Sequence, residues 1–163
     1  MFKSKKSIKE YIGEVLVGST QEHALAFVSH LRSSDMTIRR FTYHGKDTLH
    51  WEVKFQGELV CYILLDAENS DWTMMPDNSA TSRFSEYPID NVMKETAWQN
   101  LNICNNGRCG GCKQGTGNPT MVFGKEIEHV CGMAYNFTNP DAKALQLAIK
   151  MMDVRKSDIA QKV

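Results

Sequence analysis

The chain has 163 residues, of which 42% are hydrophobic, and this is enough to build the core of one domain. Its 19 lysines and arginines balance 19 aspartates and glutamates, so no net positive charge favours nucleic acid as a partner. No segment approaches the roughly 20 apolar residues that cross a bilayer, and the amino terminus lacks the apolar core of a signal peptide. We therefore expect a single domain over residues 1–163, located in the cytoplasm, with no nucleic-acid and no membrane partner.

Two helices are predicted near the amino terminus. Ser7 and Glu10 have the spacing of a capping box, and apolar residues then recur at helical spacing as far as Gly18. The same pattern of cap and apolar spacing repeats from Ser19 to Leu31. We expect these two helices to pack as an antiparallel pair.

Four strands are predicted in the stretch that follows, where β-branched and aromatic residues are frequent. Their ranges are Thr37–Tyr43, Leu49–Phe55, Glu58–Leu65 and Trp72–Met75. The third is apolar almost throughout, so we expect it at the centre of the sheet, covered on both faces.

The remaining elements alternate between helix and strand. Pro88 opens a helix whose apolar face extends to Leu101. Thr120–Phe123 and the alternating residues Cys131–Phe137 indicate two further strands. Asn139-Pro140-Asp141 is a strong start for a closing helix, with Asn139 as the cap and Pro140 at the first helical position. The predicted fold class is therefore α+β, with an amino-terminal helix pair, a mainly antiparallel sheet covered by helices, and a carboxy-terminal helix.

The segment Cys104-Asn-Asn-Gly-Arg-Cys109-Gly-Gly-Cys112 has the spacing C-x4-C-x2-C. In a reducing compartment such cysteines are more often metal ligands or reactive thiols than disulfides. A structural zinc site needs four ligands, and Cys131 is the candidate for the fourth, with His129 as the alternative on the same strand face. The sequence thus predicts a zinc site formed by Cys104, Cys109, Cys112 and Cys131.

Three other interpretations of the cysteine loop remain open. The spacing also accommodates an iron-sulfur cluster, although the order of elements does not match a ferredoxin. Cys109 and Cys112 form a C-x-x-C pair suited to thiol exchange, but no helix is predicted after it to lower a thiol pKa. The loop thiols could also simply be free, and Cys61 is most simply a core residue.

Aromatic residues from consecutive predicted strands, together with one from the helix after Pro88, suggest a ligand platform. Aromatic groups with polar tips on a concave sheet face bind small molecules well, although they also form ordinary cores. Glu52 and Glu86 are candidates for a charged anchor for a cationic ligand. The predicted ligand-binding residues are Tyr43, Trp51, Tyr62, Trp72 and Trp98.

The run from Phe123 to Cys131, continuing through Asn136–Asp141 into the last helix, resembles the carboxy-terminal half of a group of small uncharacterised bacterial proteins. The Trp51-Glu-Val-Lys-Phe strand, with Cys61 beyond it, resembles their middle. These proteins are loosely described as effector-binding or GyrI-like domains. The resemblance implies an α+β sheet platform that binds a small molecule.

The leading functional hypothesis is a non-enzymatic domain that binds a small-molecule ligand, with a cysteine-rich loop held by structural zinc. One alternative is an enzyme that acts through the metal or the thiols of the Cys104–Cys112 loop. The other is a protein-interaction module stabilised by zinc. The sequence predicts neither the identity of the ligand nor the oligomeric state.

Overall fold

A computed structural model describes residues 6–43, 46–77, 83–104 and 118–162, without the side chains of residues 43, 46–48, 118 and 132–134. The helices are α1 (Ile8–Val15), α2 (Gly18–Ser33), α3 (Asn91–Gln99) and α4 (Ala142–Ala160). The strands are β1 (Thr37–Tyr43), β2 (Lys46–Phe55), β3 (Glu58–Asp66), β4 (Asp71–Pro76), β5 (Leu101–Ile103), β6 (Asn118–Val122), β7 (Lys125–Tyr135) and β8 (Phe137–Thr138). The predicted α+β class is confirmed.

The strands form two sheets. A large sheet of five strands has the order β1-β2-β3-β4-β8, and a small sheet of three strands has the order β5-β7-β6. All of these pairings are antiparallel. The predicted strand β3 is central in the large sheet, as its apolar sequence indicated.

One face of the large sheet packs against helices, and we call it the covered face. Its register aligns Trp51 of β2 with Ile63 of β3 and Met74 of β4, and all three side chains are buried. The helices α1, α2 and α4 all contact the strands of this sheet. The rings of Tyr11 on α1 and Phe27 on α2 lie 5.6 and 5.7 Å from those of Trp51 and Trp72, so the hydrophobic core lies on this side.

The opposite face, which we call the open face, corrects one prediction. β3 alternates along its length, with Cys61, Ile63 and Leu65 buried but Tyr62 and Leu64 only half-buried. Within the described ranges no helix packs against that second side of the strand. The expectation that β3 is covered on both faces was therefore wrong, because a nearly continuous apolar run does not reveal how many faces are covered.

The helix boundaries follow local capping chemistry at two of the predicted starts. Ser7 and Glu10 form the capping box at α1, with the Ser7 N–H donating to Glu10 Oε2 at 2.6 Å. α4 begins two residues later than predicted, because Asp141 caps it by accepting from the Ala144 N–H at 2.9 Å, whereas the predicted cap Asn139 accepts from the Trp72 N–H. α2 instead begins at Gly18 after Val17, without a side-chain cap, so Ser19 is not its cap as predicted.

Two further predictions fail where tertiary pairing overrides local pattern. The helix predicted from Pro88 to Leu101 begins only after its cap Asp90 and ends at Gln99, because Leu101 starts β5 and pairs with Tyr135. The strand predicted from Cys131 to Phe137 is divided between β7 in the small sheet and β8 in the large one. None of the described helices is long and apolar enough to cross a membrane.

Candidate functional site

The predicted aromatic residues do not share one surface. Trp51 and Trp72 belong to the covered face and are 3% and 1% exposed beneath α1 and α2. Tyr62 lies on the open face, since it alternates with the buried Cys61 and Ile63. Tyr43 ends β1, and its side chain lies outside the described part of the structure. The structure thus brings Trp51 and Trp72 into the core and leaves Tyr62 at the surface.

Trp98 lies away from the large sheet. Its indole Nε1 donates to the backbone oxygen of Val122 on β6 at 2.9 Å, and the Lys125 ammonium lies 4.8 Å from its ring centroid. These contacts join α3 to the small sheet. Trp98 therefore does not line the open face together with Tyr62.

The open face carries a second set of aromatic and apolar side chains that the sequence prediction missed. Phe41, His50 and Leu64 are cross-strand neighbours on β1, β2 and β3. The Phe41 ring lies 5.8 Å from the His50 ring and 5.6 Å from the Tyr62 ring. All four side chains are half-buried, although no described helix covers them. The alternation of Phe41 with Arg40 was the available signal, but it does not tell which side faces the core.

Charged side chains border this aromatic cluster. Arg39 pairs across the strands with Glu52, and Glu52 in turn with Tyr62. The Glu52 carboxylate also lies 3.2 Å from the Lys54 ammonium on the same strand. Glu52, one of the two predicted charged anchors, is therefore on the open face. Glu86, the other, lies in the loop before α3, far in sequence from the strands of the open face.

A pocket of about 590 Å³ runs along the outer side of β1. It is bordered by Arg39, Arg40 and Phe41, and on the α1 side by Tyr11. The Arg40 guanidinium donates to the Tyr11 hydroxyl and lies 4.8 Å from the Tyr11 ring centroid and 5.9 Å from that of Trp51. Stacking on two rings holds this planar cation in place at the margin of the pocket.

His50 differs from an ordinary surface histidine. Burial lowers its pKa below the usual value of 6.5, because the surrounding apolar groups disfavour the charged imidazolium. The neutral form of His50 is therefore favoured, and in that form one ring nitrogen can accept a hydrogen bond while the other donates. This side chain offers the open face a neutral polar group between Phe41 and Leu64.

The predicted zinc ligands fall partly outside the described residues. Cys109 and Cys112 lie in the segment 105–117, of which nothing is described, whereas Cys104 and Cys131 are half-buried free thiols. Among the described residues no group of three or more His, Cys, Asp and Glu side chains is arranged to hold a metal ion. The complete predicted ligand set therefore stays a prediction.

Strand pairing nevertheless places Cys104 and Cys131 on paired segments of the small sheet. Ile103 of β5 pairs with Val130 of β7, and the Cys104 N–H donates to the His129 oxygen at 2.7 Å. Cys131 follows Val130 directly and begins an irregular part of β7, because Leu101 pairs with Tyr135 and the register shifts between this pair and the pair Ile103–Val130.

The ends of the cysteine loop meet at the same place. Asn118, the first residue of β6, also pairs with Val130, from the other edge of β7. The segment that carries Cys109 and Cys112 thus leaves the small sheet at Cys104 and returns to it beside Cys131. Cys61 is remote from this arrangement, since it is fully buried in the covered face, where burial raises the pKa of its thiol.

Comparisons of the chain with models of protein families, with curated protein sequences and with solved structures find no match.

Proposed function

We propose that this chain is a small-molecule-binding domain that holds its ligand on the open face of the large sheet, beside β1. The observation that carries the proposal is the cluster of Phe41, His50, Tyr62 and Leu64, which is only half-buried on a face with no described helix against it. Aromatic rings supply apolar contact area, and a few polar groups around them orient a ligand.

The neighbouring pocket supports the same assignment. At about 590 Å³ it falls within the range of roughly 300–1,000 Å³ that is usual for ligand sites. Phe41 belongs both to this pocket and to the aromatic cluster, so one ligand could contact both. Arg39, Arg40 and Glu52 would then fix its orientation.

The test is a thermal-shift screen of small aromatic and polar compounds, followed by calorimetry on the compounds that raise the Tm. We expect Tyr62→Ala to weaken the binding of these compounds by about tenfold, as loss of an aromatic contact worth roughly 1.4 kcal/mol would do. Thr37→Ala, an exposed change near the end of the same sheet, serves as the control and should bind as the unmodified chain does. Equal affinity in all three proteins would refute binding on the open face.

A second proposal concerns a metal site, and it is compatible with the first. We propose that Cys104 and Cys131 hold a structural zinc ion together with Cys109 and Cys112. The supporting observation is that the ends of the intervening loop flank Val130, next to both half-buried thiols. Four thiolates at about 2.3 Å would satisfy tetrahedral zinc and would restrain this loop.

Elemental analysis of the purified protein, paired with thiol counting, tests the metal proposal. We expect about one zinc ion per chain, with the four proposed ligands unreactive until a chelator removes it. Cys131→Ser should lose the metal, whereas Cys61→Ala should retain it because Cys61 lies in the core. A metal-free protein in which every cysteine except Cys61 reacts at once would exclude the zinc site.

A further inference from the structure

The turn between β6 and β7 has an unusual residue in it. Phe123 and Gly124 link the two strands, and both have positive φ, at 48° and 78°. A two-residue hairpin turn of this kind favours Asn-Gly, because a left-handed backbone is costly for residues with bulky side chains. An aromatic residue at the first position of such a turn is therefore uncommon.

One side of the Phe123 ring contacts a buried residue. The Phe123 ring meets the buried Phe84 ring edge-on at 5.6 Å, and the Phe123 N–H donates to the Ser85 oxygen at 3.1 Å. The Phe123 side chain nevertheless stays half-buried. Its remaining surface lines a pocket of about 520 Å³ between the small sheet and the loop before α3.

The walls of this pocket include large apolar side chains that stay exposed. Met121 is 58% exposed and Tyr87 is 39% exposed, so both belong to the few large hydrophobic residues on the described surface. Ile89 completes the apolar wall beside Phe123. A methionine and aromatic rings can adapt to apolar ligands of different shapes.

The two charged side chains of the pocket have opposite signs. Lys94 of α3 is half-buried and makes no ion pair within the described ranges, and Glu86 is exposed at the margin. A lysine that lies along an apolar wall keeps its stem in contact with it and its ammonium at the margin. An anion placed there would be screened by water less than at an open surface, which strengthens its attraction to Lys94.

We infer that this pocket binds a small apolar molecule, aromatic or branched aliphatic, that carries one carboxylate. The carboxylate pairs with the Lys94 ammonium, and the apolar body lies on Phe123 and Met121. The exposed Glu86 selects against a second negative charge on the ligand. The pocket is built by the small sheet and α3, so this assignment is independent of the open face.

The experiment is a ¹⁵N NMR titration of the full chain with phenylacetate, 4-methylpentanoate and the neutral analogue phenylacetamide. We expect both acids to shift the amide signals of Lys94, Met121 and Phe123, and phenylacetate to bind at least about tenfold more tightly than phenylacetamide. Lys94→Gln should bring the Kd of phenylacetate close to that of the amide. Lys9→Gln, an exposed lysine on α1, is the matched control and should leave it unchanged.

Two variants test the apolar wall without depending on the charge. Phe123→Asn introduces the residue that this turn prefers, and Met121→Ala removes an exposed side chain, so both proteins should fold. Each should weaken binding of phenylacetate about tenfold or more, with an unchanged circular dichroism spectrum. Equal binding of acid and amide, an unchanged Kd in Lys94→Gln, or no shifts at Met121 with either acid would overturn the assignment.

Discussion

The two faces of the large sheet are built from the same strands, and they differ in what lies against them. Trp51 and Trp72 on the covered face are 3% and 1% exposed, whereas Tyr62 and Leu64 on the open face are only half-buried. Residue type does not distinguish the two faces, since both carry aromatic and aliphatic side chains. The difference teaches that an aromatic residue on a strand belongs to the core or to a surface according to where the helices pack.

The largest effect should come from truncating a residue on the covered face. Trp72→Ala removes a buried ring that packs on Phe27, and we expect the free energy of unfolding to fall by about 3–5 kcal/mol. Tyr62→Ala on the open face should cost only about 1 kcal/mol. Denaturant titration followed by circular dichroism measures both.

A milder change at the same position separates packing from polarity. The Trp72 indole Nε1 is buried and has no hydrogen-bond partner in the described part of the chain. Trp72→Phe keeps most of the ring and removes this unpaired donor, so it should cost much less than Trp72→Ala. If Tyr62→Ala proved as destabilising as Trp72→Ala, the distinction between the two faces would be wrong.

Arg155 tests how α4 is fixed to the edge of the covered face. Its side chain is only 5% exposed, its Nη2 donates to the Leu59 oxygen at 3.2 Å, and it lies 3.4 Å from the Glu58 carboxylate and 3.7 Å from that of Asp77. Arg155→Ala should lower the free energy of unfolding by about 2 kcal/mol, because a charge-assisted contact and a packed stem are both lost.

The matched control for Arg155 is another cation beside the same carboxylate. Lys162 lies 3.7 Å from Glu58, but its side chain is 58% exposed. Lys162→Ala should therefore change stability by less than about 0.5 kcal/mol. Similar losses for both variants would mean that burial of Arg155 does not matter.

The cap of α4 should have a smaller effect than Arg155. Asp141 accepts from the Ala144 N–H at 2.9 Å and lies at the positive end of the helix dipole. Asp141→Ala should cost about 1 kcal/mol, and Asp141→Asn should recover most of it because asparagine also caps well. Thermal unfolding of the three proteins under one set of conditions measures this, and an unchanged Tm for Asp141→Ala would argue against the cap.

The smallest effect should be a pH dependence at His50 on the open face. Because burial lowers its pKa from 6.5, the unfolded chain binds a proton at a higher pH than the folded chain does. The free energy of unfolding should therefore fall as the pH drops below about 6.5. His50→Gln should have a flatter dependence in that window, and identical pH profiles would contradict burial of this imidazole.

Local patterns predicted much of the fold correctly. The capping pair at Ser7 and the strands from Thr37 to Met75 depend on contacts close in sequence, and the structure has them all. β5 escaped prediction because helical spacing continues through Leu101, and only its pairing with Tyr135 on β7 makes that residue part of a strand.

The candidate site was predictable to a smaller extent. Of the five aromatic residues proposed for a ligand, Tyr62 is on the open face and two are in the core. Phe41 escaped notice because the sequence of β1 alternates without indicating which side will be covered. The pocket at Phe123 escaped as well, since the turn, the loop before α3 and the α3 residue Lys94 meet only in the folded chain.

By itself the sequence determined the elements whose causes are local, namely the capping box of α1, the strand alternation and the spacing of the cysteines. Only the tertiary structure decided which face of each strand is buried, how Cys131–Phe137 is divided between two sheets, and that the segments carrying Cys104 and Cys131 pair. The physical reason is that capping and alternation act over a few residues, whereas burial and pairing depend on distant segments that reach each other only when the chain folds.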